Sequence, residues 1–140
     1  MIQGLIVTHG GLATELLEAA RKIEGDIEGV EALTLDWEED VDAAQEKVRV
    51  AVERITRRSD LIIFTDMFGG TPSNLSMPFM HEGKVEVITG VNLPMIVKFS
   101  SLNRKDCALS ELAQIVREKG ARAICVASEL LHQQTAGVER

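Results

Sequence analysis

Cysteine is scarce in this chain: Cys107 and Cys125 are the only two. Their separation matches no metal-ligand spacing and gives no disulfide framework, so both read as reduced thiols. Long apolar runs are also missing, and none approaches the length that crosses a membrane. The opening Met1-Ile2-Gln3-Gly4-Leu5 lacks a signal peptide's basic stretch. Export is therefore not expected, and a cytoplasmic location is. Positive charge is in deficit, with a formal net charge of -7. That excludes sequence-independent nucleic-acid binding, which needs a basic footprint. It suits encounter with a basic protein partner, and equally it suits simple solubility.

What is present fits one domain with a full hydrophobic core: 140 residues, 45% of them hydrophobic. Residues 2–8 read as a buried central strand. Leu12, Leu16, Leu17, Ala20 and Ile23 recur at helical spacing, with Gly25 as a stop. Residues 30–36 read as a second strand. A helix follows to about Arg58, capped by Asp40 or Asp42. Asp60 to Thr65 is continuously apolar after its first residue, as buried parallel strands are. Thr71 is placed as the next N-cap with Pro72 at the first helical position. That helix must be short or kinked, because Pro78 removes a backbone donor. Val85 to Thr89 is a fourth strand, and a helix is expected over about 94–101. Leu109 to Val116 marks another helix, ended by Gly120. Ala123 to Ala127 reads as a last short strand, and the tail from about Gln133 as polar and frayed.

Strands alternating with helices predict an α/β fold, doubly wound around a mainly parallel sheet. With strand order 2-1-3-4, the switch point falls between strands 1 and 3. Ligand sites of open α/β sheets lie at that point, beyond the carboxyl ends of the strands. The ends of strands 1 and 3 carry His9 and Asp66.

That pairing suits a nucleophilic imidazole. A carboxylate accepting from Nδ1–H would hold the ring, leave Nε2 free and stabilise positive charge developing on it. Gly10, Gly11, Gly69 and Gly70 let backbone N–H groups approach phosphoryl oxygens, and Thr71 adds a hydroxyl. These parts suffice for phosphoryl transfer onto histidine with neither metal nor cofactor. Met67, Phe68 and Asn92 are placed at the pocket rim. His81 and His132 sit in polar contexts and read as solvated.

Other uses of such a fold lack their residues. A receiver domain needs an acidic pair after strand 1, where this chain has Thr8-His9. Neither G-x-G-x-x-G nor a G-K-[ST] loop follows that strand. A zinc hydrolase built on His9 and Asp66 has no third ligand. A non-catalytic interaction module, with phosphorylated His9 as its signal, is the alternative from another class.

Three ordered motifs carry a resemblance. They are the strand ending Thr8-His9-Gly10, the stretch Asp66-Met67-Phe68-Gly69-Gly70-Thr71-Pro72-Ser73-Asn74, and Gly90-Val91-Asn92-Leu93-Pro94-Met95. Over residues 1–130 the chain resembles the mannose-family EIIA domain of the bacterial phosphoenolpyruvate-dependent sugar phosphotransferase system; residues 131–140 are left as a tail. The resemblance implies that the histidine-containing phosphocarrier protein phosphorylates His9 on Nε2, and that the group passes to an EIIB partner. It implies that Asp66 orients the ring and that the Thr71 hydroxyl sits by the phosphoryl group. It also implies a homodimer exchanging a C-terminal edge strand, here residues 123–127, and membrane contact only through the transporter. Thr71 stands where serine also occurs, Phe68 where tryptophan is familiar, and Met67 where a small polar residue can occur. No fused EIIB domain is expected, and action as a separate subunit is, feeding a sugar transporter or a regulatory target.

Overall fold

A computed structural model describes the backbone of residues 1–138 and the side chains through Gln134. The strands are β1 (Gln3–His9), β2 (Val30–Leu35), β3 (Leu61–Thr65) and β4 (Val85–Thr89). The helices are α1 (Leu12–Glu24), α2 (Val41–Thr56), α3 (Thr71–Ser76), α4 (Leu93–Leu102), α5 (Leu109–Arg122) and α6 (Ala127–Val138). All four strands are parallel, in the expected order β2-β1-β3-β4. Val7 pairs with Thr65 across β1 and β3, so the next residues of both strands reach the same sheet edge.

Alternation along the strands divides the core into two layers. Ile6, Ile62, Phe64 and Ile88 pack with Leu17, Ile96, Phe99, Leu112 and Val116 of α1, α4 and α5. Leu5, Val7, Ile63 and Val85 face Val48, Val52 and Ile55 of α2 and Leu75 of α3. Every residue of β3 is fully buried, which explains its unbroken apolar run. Phe64 and Phe99 meet edge to face at 5.3 Å, against Gly4, where a Cβ would lie 2.8 Å from Phe99 Cε1.

Boundaries mostly fall where the sequence put them, and the departures have local causes. Gly25 ends α1 at φ 85°. Pro78 does shorten its helix: α3 stops at Ser76 and a 3-10 turn, Met77–Phe79, follows. The cap of α3 is Gly70, and Thr71 is already helical. Asp40 occupies the N-cap of α2 without a side-chain cap bond. Gly120 does not end α5. It lies within the helix and packs against Met95, whose Cγ is 2.4 Å from where a Cβ would stand.

Residues 123–127 form no strand here. Ile124 N–H donates to the Ala121 carbonyl, and Glu129 and Leu130 N–H turn back to that of Val126. Helical turns on both sides thus engage the Ile124 N–H and the Val126 carbonyl. Helix α6 then runs across the segment expected to fray, as far as Val138.

Candidate functional site

The carboxyl ends of β1 and β3 bring His9 and Asp66 together. Asp66 Oδ2 lies 2.8 Å from His9 Nδ1 and accepts the His9 backbone N–H at 3.0 Å. Asp66 Oδ1 accepts from Met67 N–H at 3.0 Å. Burial raises the carboxyl's pKa, but the hydrogen bonds from the His9 ring and backbone, with the ring's charge, outweigh it. The net effect holds Asp66 below the usual carboxylate range. An ionised carboxylate only accepts, so Nδ1 carries the proton, and in the neutral ring the lone pair is then on Nε2.

Local backbone features put the imidazole there. Thr8 is buried, and its Oγ1 accepts the Ala13 N–H at 2.7 Å, tying the start of α1 to the strand end. Gly10 turns the chain at φ 54°, and its N–H donates to the Leu35 carbonyl at 3.1 Å. That N–H is thus already engaged within the protein. Gly70 approaches the ring closely: a Cβ on it would lie 2.6 Å from His9 Cε1 and 3.1 Å from Nε2. Gly69, at φ 87°, makes the turn that allows this approach.

His9 and Thr71 line a pocket of about 200 Å³ together with Leu35, Asp36, Trp37 and Glu39. Met67 and Phe68 are 57% and 70% exposed and are not among its lining residues. Asn92 is not among the lining residues. It caps α4 instead, accepting from Met95 N–H at 3.2 Å and donating to the Gly120 carbonyl at 3.0 Å. The signal was readable, since Asn followed by Pro two residues later is a helix start. Trp37 was missed: its indole stacks on the His9 ring, centroids 5.4 Å apart and planes 23° off parallel. The chain's single tryptophan, just past β2 in an acidic stretch, was the available clue.

Among the described residues, no three His, Cys, Asp or Glu side chains are grouped to hold a metal ion. His81 and His132 are exposed, away from this pocket. Burial, with the Glu111 carboxylate, pushes the Cys107 thiol up, away from its reactive form. Among the described residues, no helix is long and apolar enough to cross a membrane.

A family model described as PTS system fructose IIA component (EIIA-man) matches residues 4–116. The chain belongs to this family, the EIIA components of sugar phosphotransferase systems. It is 30% identical over 134 residues to the fructose-specific EIIA component of Bacillus subtilis (strain 168), covering 95% of this chain and 91% of that protein. It is 27% identical over 121 residues to the mannose-specific EIIAB component of Escherichia coli (strain K12). That match covers 86% of this chain but 38% of the longer protein. The crystal structure of the phosphotransferase system component EIIA from Streptococcus agalactiae superposes with a TM-score of 0.81 at 26% identity. It covers 92% of this chain and 99% of that one.

Proposed function

We propose that His9 carries a phosphoryl group on Nε2, received from the histidine-containing phosphocarrier protein and passed to an EIIB partner. The observation that carries this reading is the 2.8 Å contact between His9 Nδ1 and Asp66 Oδ2 beside an open pocket. Neutral Nε2 attacks phosphorus as the donor's P–N bond breaks. The Nδ1 proton stays where it is, and Asp66 neutralises the positive ring that results. A donor phosphoimidazole protonated on its other nitrogen leaves as neutral imidazole, so no proton has to be moved during transfer. Transfer to EIIB reverses these roles. The backbone at Gly69 and Gly70 and the Thr71 hydroxyl receive the phosphoryl oxygens, while Met67 and Phe68 meet the partner.

This work falls to a domain of residues 1–130 acting in the cytoplasm and meeting a membrane only through a transporter complex. Its homodimer exchanges residues 123–127. Two features support exchange: β4 is an edge strand, and Ile124 and Val126 are exposed. Light scattering on the full chain and on Ile124→Asp/Val126→Asp tests it; a monomeric native protein excludes it.

The central test is intact mass after incubation with phosphoenolpyruvate, enzyme I and the phosphocarrier. One acid-labile phosphoryl adduct is expected on the native protein and none on His9→Ala. No adduct on either, with an active carrier, overturns the reading.

A further inference from the structure

Trp37 is 78% exposed, yet it is not a free surface side chain. Its loop is clamped. Glu39 N–H donates to the Asp36 carbonyl at 3.1 Å, and Asp36 N–H donates to Glu39 Oε2 at 3.2 Å. Lys47, on α2, pairs with Glu39 Oε1 at 2.6 Å. Gly10 makes room for the indole too. A Cβ on Gly10 would lie 2.8 Å from Trp37 Nε1 and 3.2 Å from its Cε2. The missing side chain at position 10 is the space the indole occupies. The loop clamp and the vacated position 10 together set a flat aromatic ring against the imidazole.

We propose that Trp37 is a positioning residue for phosphoryl transfer through His9. The inference rests on the phosphohistidine reading above. Asp66 grips the imidazole at one atom, Nδ1, which leaves the ring free to tilt about that contact. An indole against one face removes the tilt and keeps Nε2 directed at the incoming phosphorus. It also favours the cationic ring formed on phosphorylation, because an aromatic face attracts positive charge. Both effects act on the chemical step and not on capture of the donor.

Trp37→Ala and Trp37→Phe, compared with the native protein, test this in two ways. In proton NMR, the His9 ring signals of the native protein are shifted upfield by the indole ring current. Trp37→Ala loses that shift and Trp37→Phe keeps part of it. In steady-state phosphorylation by the phosphocarrier, Trp37→Ala lowers kcat about tenfold and leaves KM for the carrier within about twofold. Trp37→Phe recovers kcat to within about threefold of native, since a flat ring is restored. A raised KM with unchanged kcat makes Trp37 a partner contact and overturns the proposal. Unchanged His9 ring signals in Trp37→Ala overturn the stacking itself. Failure of the native protein to take a phosphoryl group removes the phosphohistidine reading, and Trp37's role in transfer with it. The NMR comparison needs no phosphorylation, so these failures are distinguishable.

Discussion

Asp66 Oδ2 faces two donors from the same residue, the Nδ1 and the backbone N–H of His9, at 2.8 and 3.0 Å. With Oδ1 accepting from Met67 N–H, the carboxylate is surrounded by donors. An amide cannot replace it, because one of its two positions is an NH₂ group facing a donor. Asp66→Asn should therefore misplace the ring or reverse its tautomer. Phosphorylation of His9 is expected to slow by about 10²-fold or more, with the fold retained. Rapid-quench labelling checks the rate and circular dichroism the fold. A native transfer rate in Asp66→Asn would remove Asp66 from its orienting role.

The same carboxyl links stability to pH. Its folded pKa lies below the ordinary value because the His9 hydrogen bonds outweigh the opposing effect of burial. The stabilisation is complete above the unfolded pKa, about 3.9, and is lost as pH falls through the lower folded value. The stability gap between native and Asp66→Asn protein should narrow as pH falls below about 4. Urea titrations at several pH values would measure it, and a gap that widens on acidification would contradict the assignment.

Two adjacent glycines should respond differently to alanine. Gly70 has φ −85°, which any residue adopts, but its Cβ would lie 2.6 Å from His9 Cε1. Gly70→Ala is thus expected to impair phosphorylation while shifting stability by less than about 1 kcal/mol. Gly69 has φ 87° and no atom within 4 Å of a Cβ. Gly69→Ala should cost about 1–2 kcal/mol through backbone strain, without touching the imidazole. Thermal melts paired with labelling rates separate the two effects.

The strand order and the meeting of His9 with Asp66 were legible because they follow from long-range pattern. Apolar runs with helical spacings between them define parallel pairing, and a switch point fixes which strand ends meet. Features that depend on a neighbour's identity were not legible. Gly120 carries the same letter whether it ends a helix or admits Met95, and only the packed α4–α5 contact decides. Ala123 to Ala127 is a short apolar run, which periodicity cannot distinguish from a helix start. Trp37 reaches His9 through the shape of the 36–40 loop, a shape set by Glu39 and Lys47. Such contacts leave no period in the sequence.

Gly120 offers a stability test that opposes helix propensity. In an exposed helix interior, replacing glycine by alanine gains about 0.8–1 kcal/mol. Here the new methyl would stand 2.4 and 2.5 Å from Met95 Cγ and Sδ and 3.2 Å from Asn92 Oδ1. Met95 is buried, and Asn92 is held by the α4 cap and by the Gly120 carbonyl. Overpacking at such a site costs about 1–3 kcal/mol, which cancels or exceeds the propensity gain. Gly120→Ala should therefore leave the protein no more stable, and Gly120→Ala with Met95→Ala should relieve the methyl's clash at the expense of a core side chain. A double-mutant cycle by urea unfolding measures the coupling: a favourable interaction between the two changes is expected. Additive effects would mean that α5 can shift away from α4, and that Gly120 is not what sets their separation.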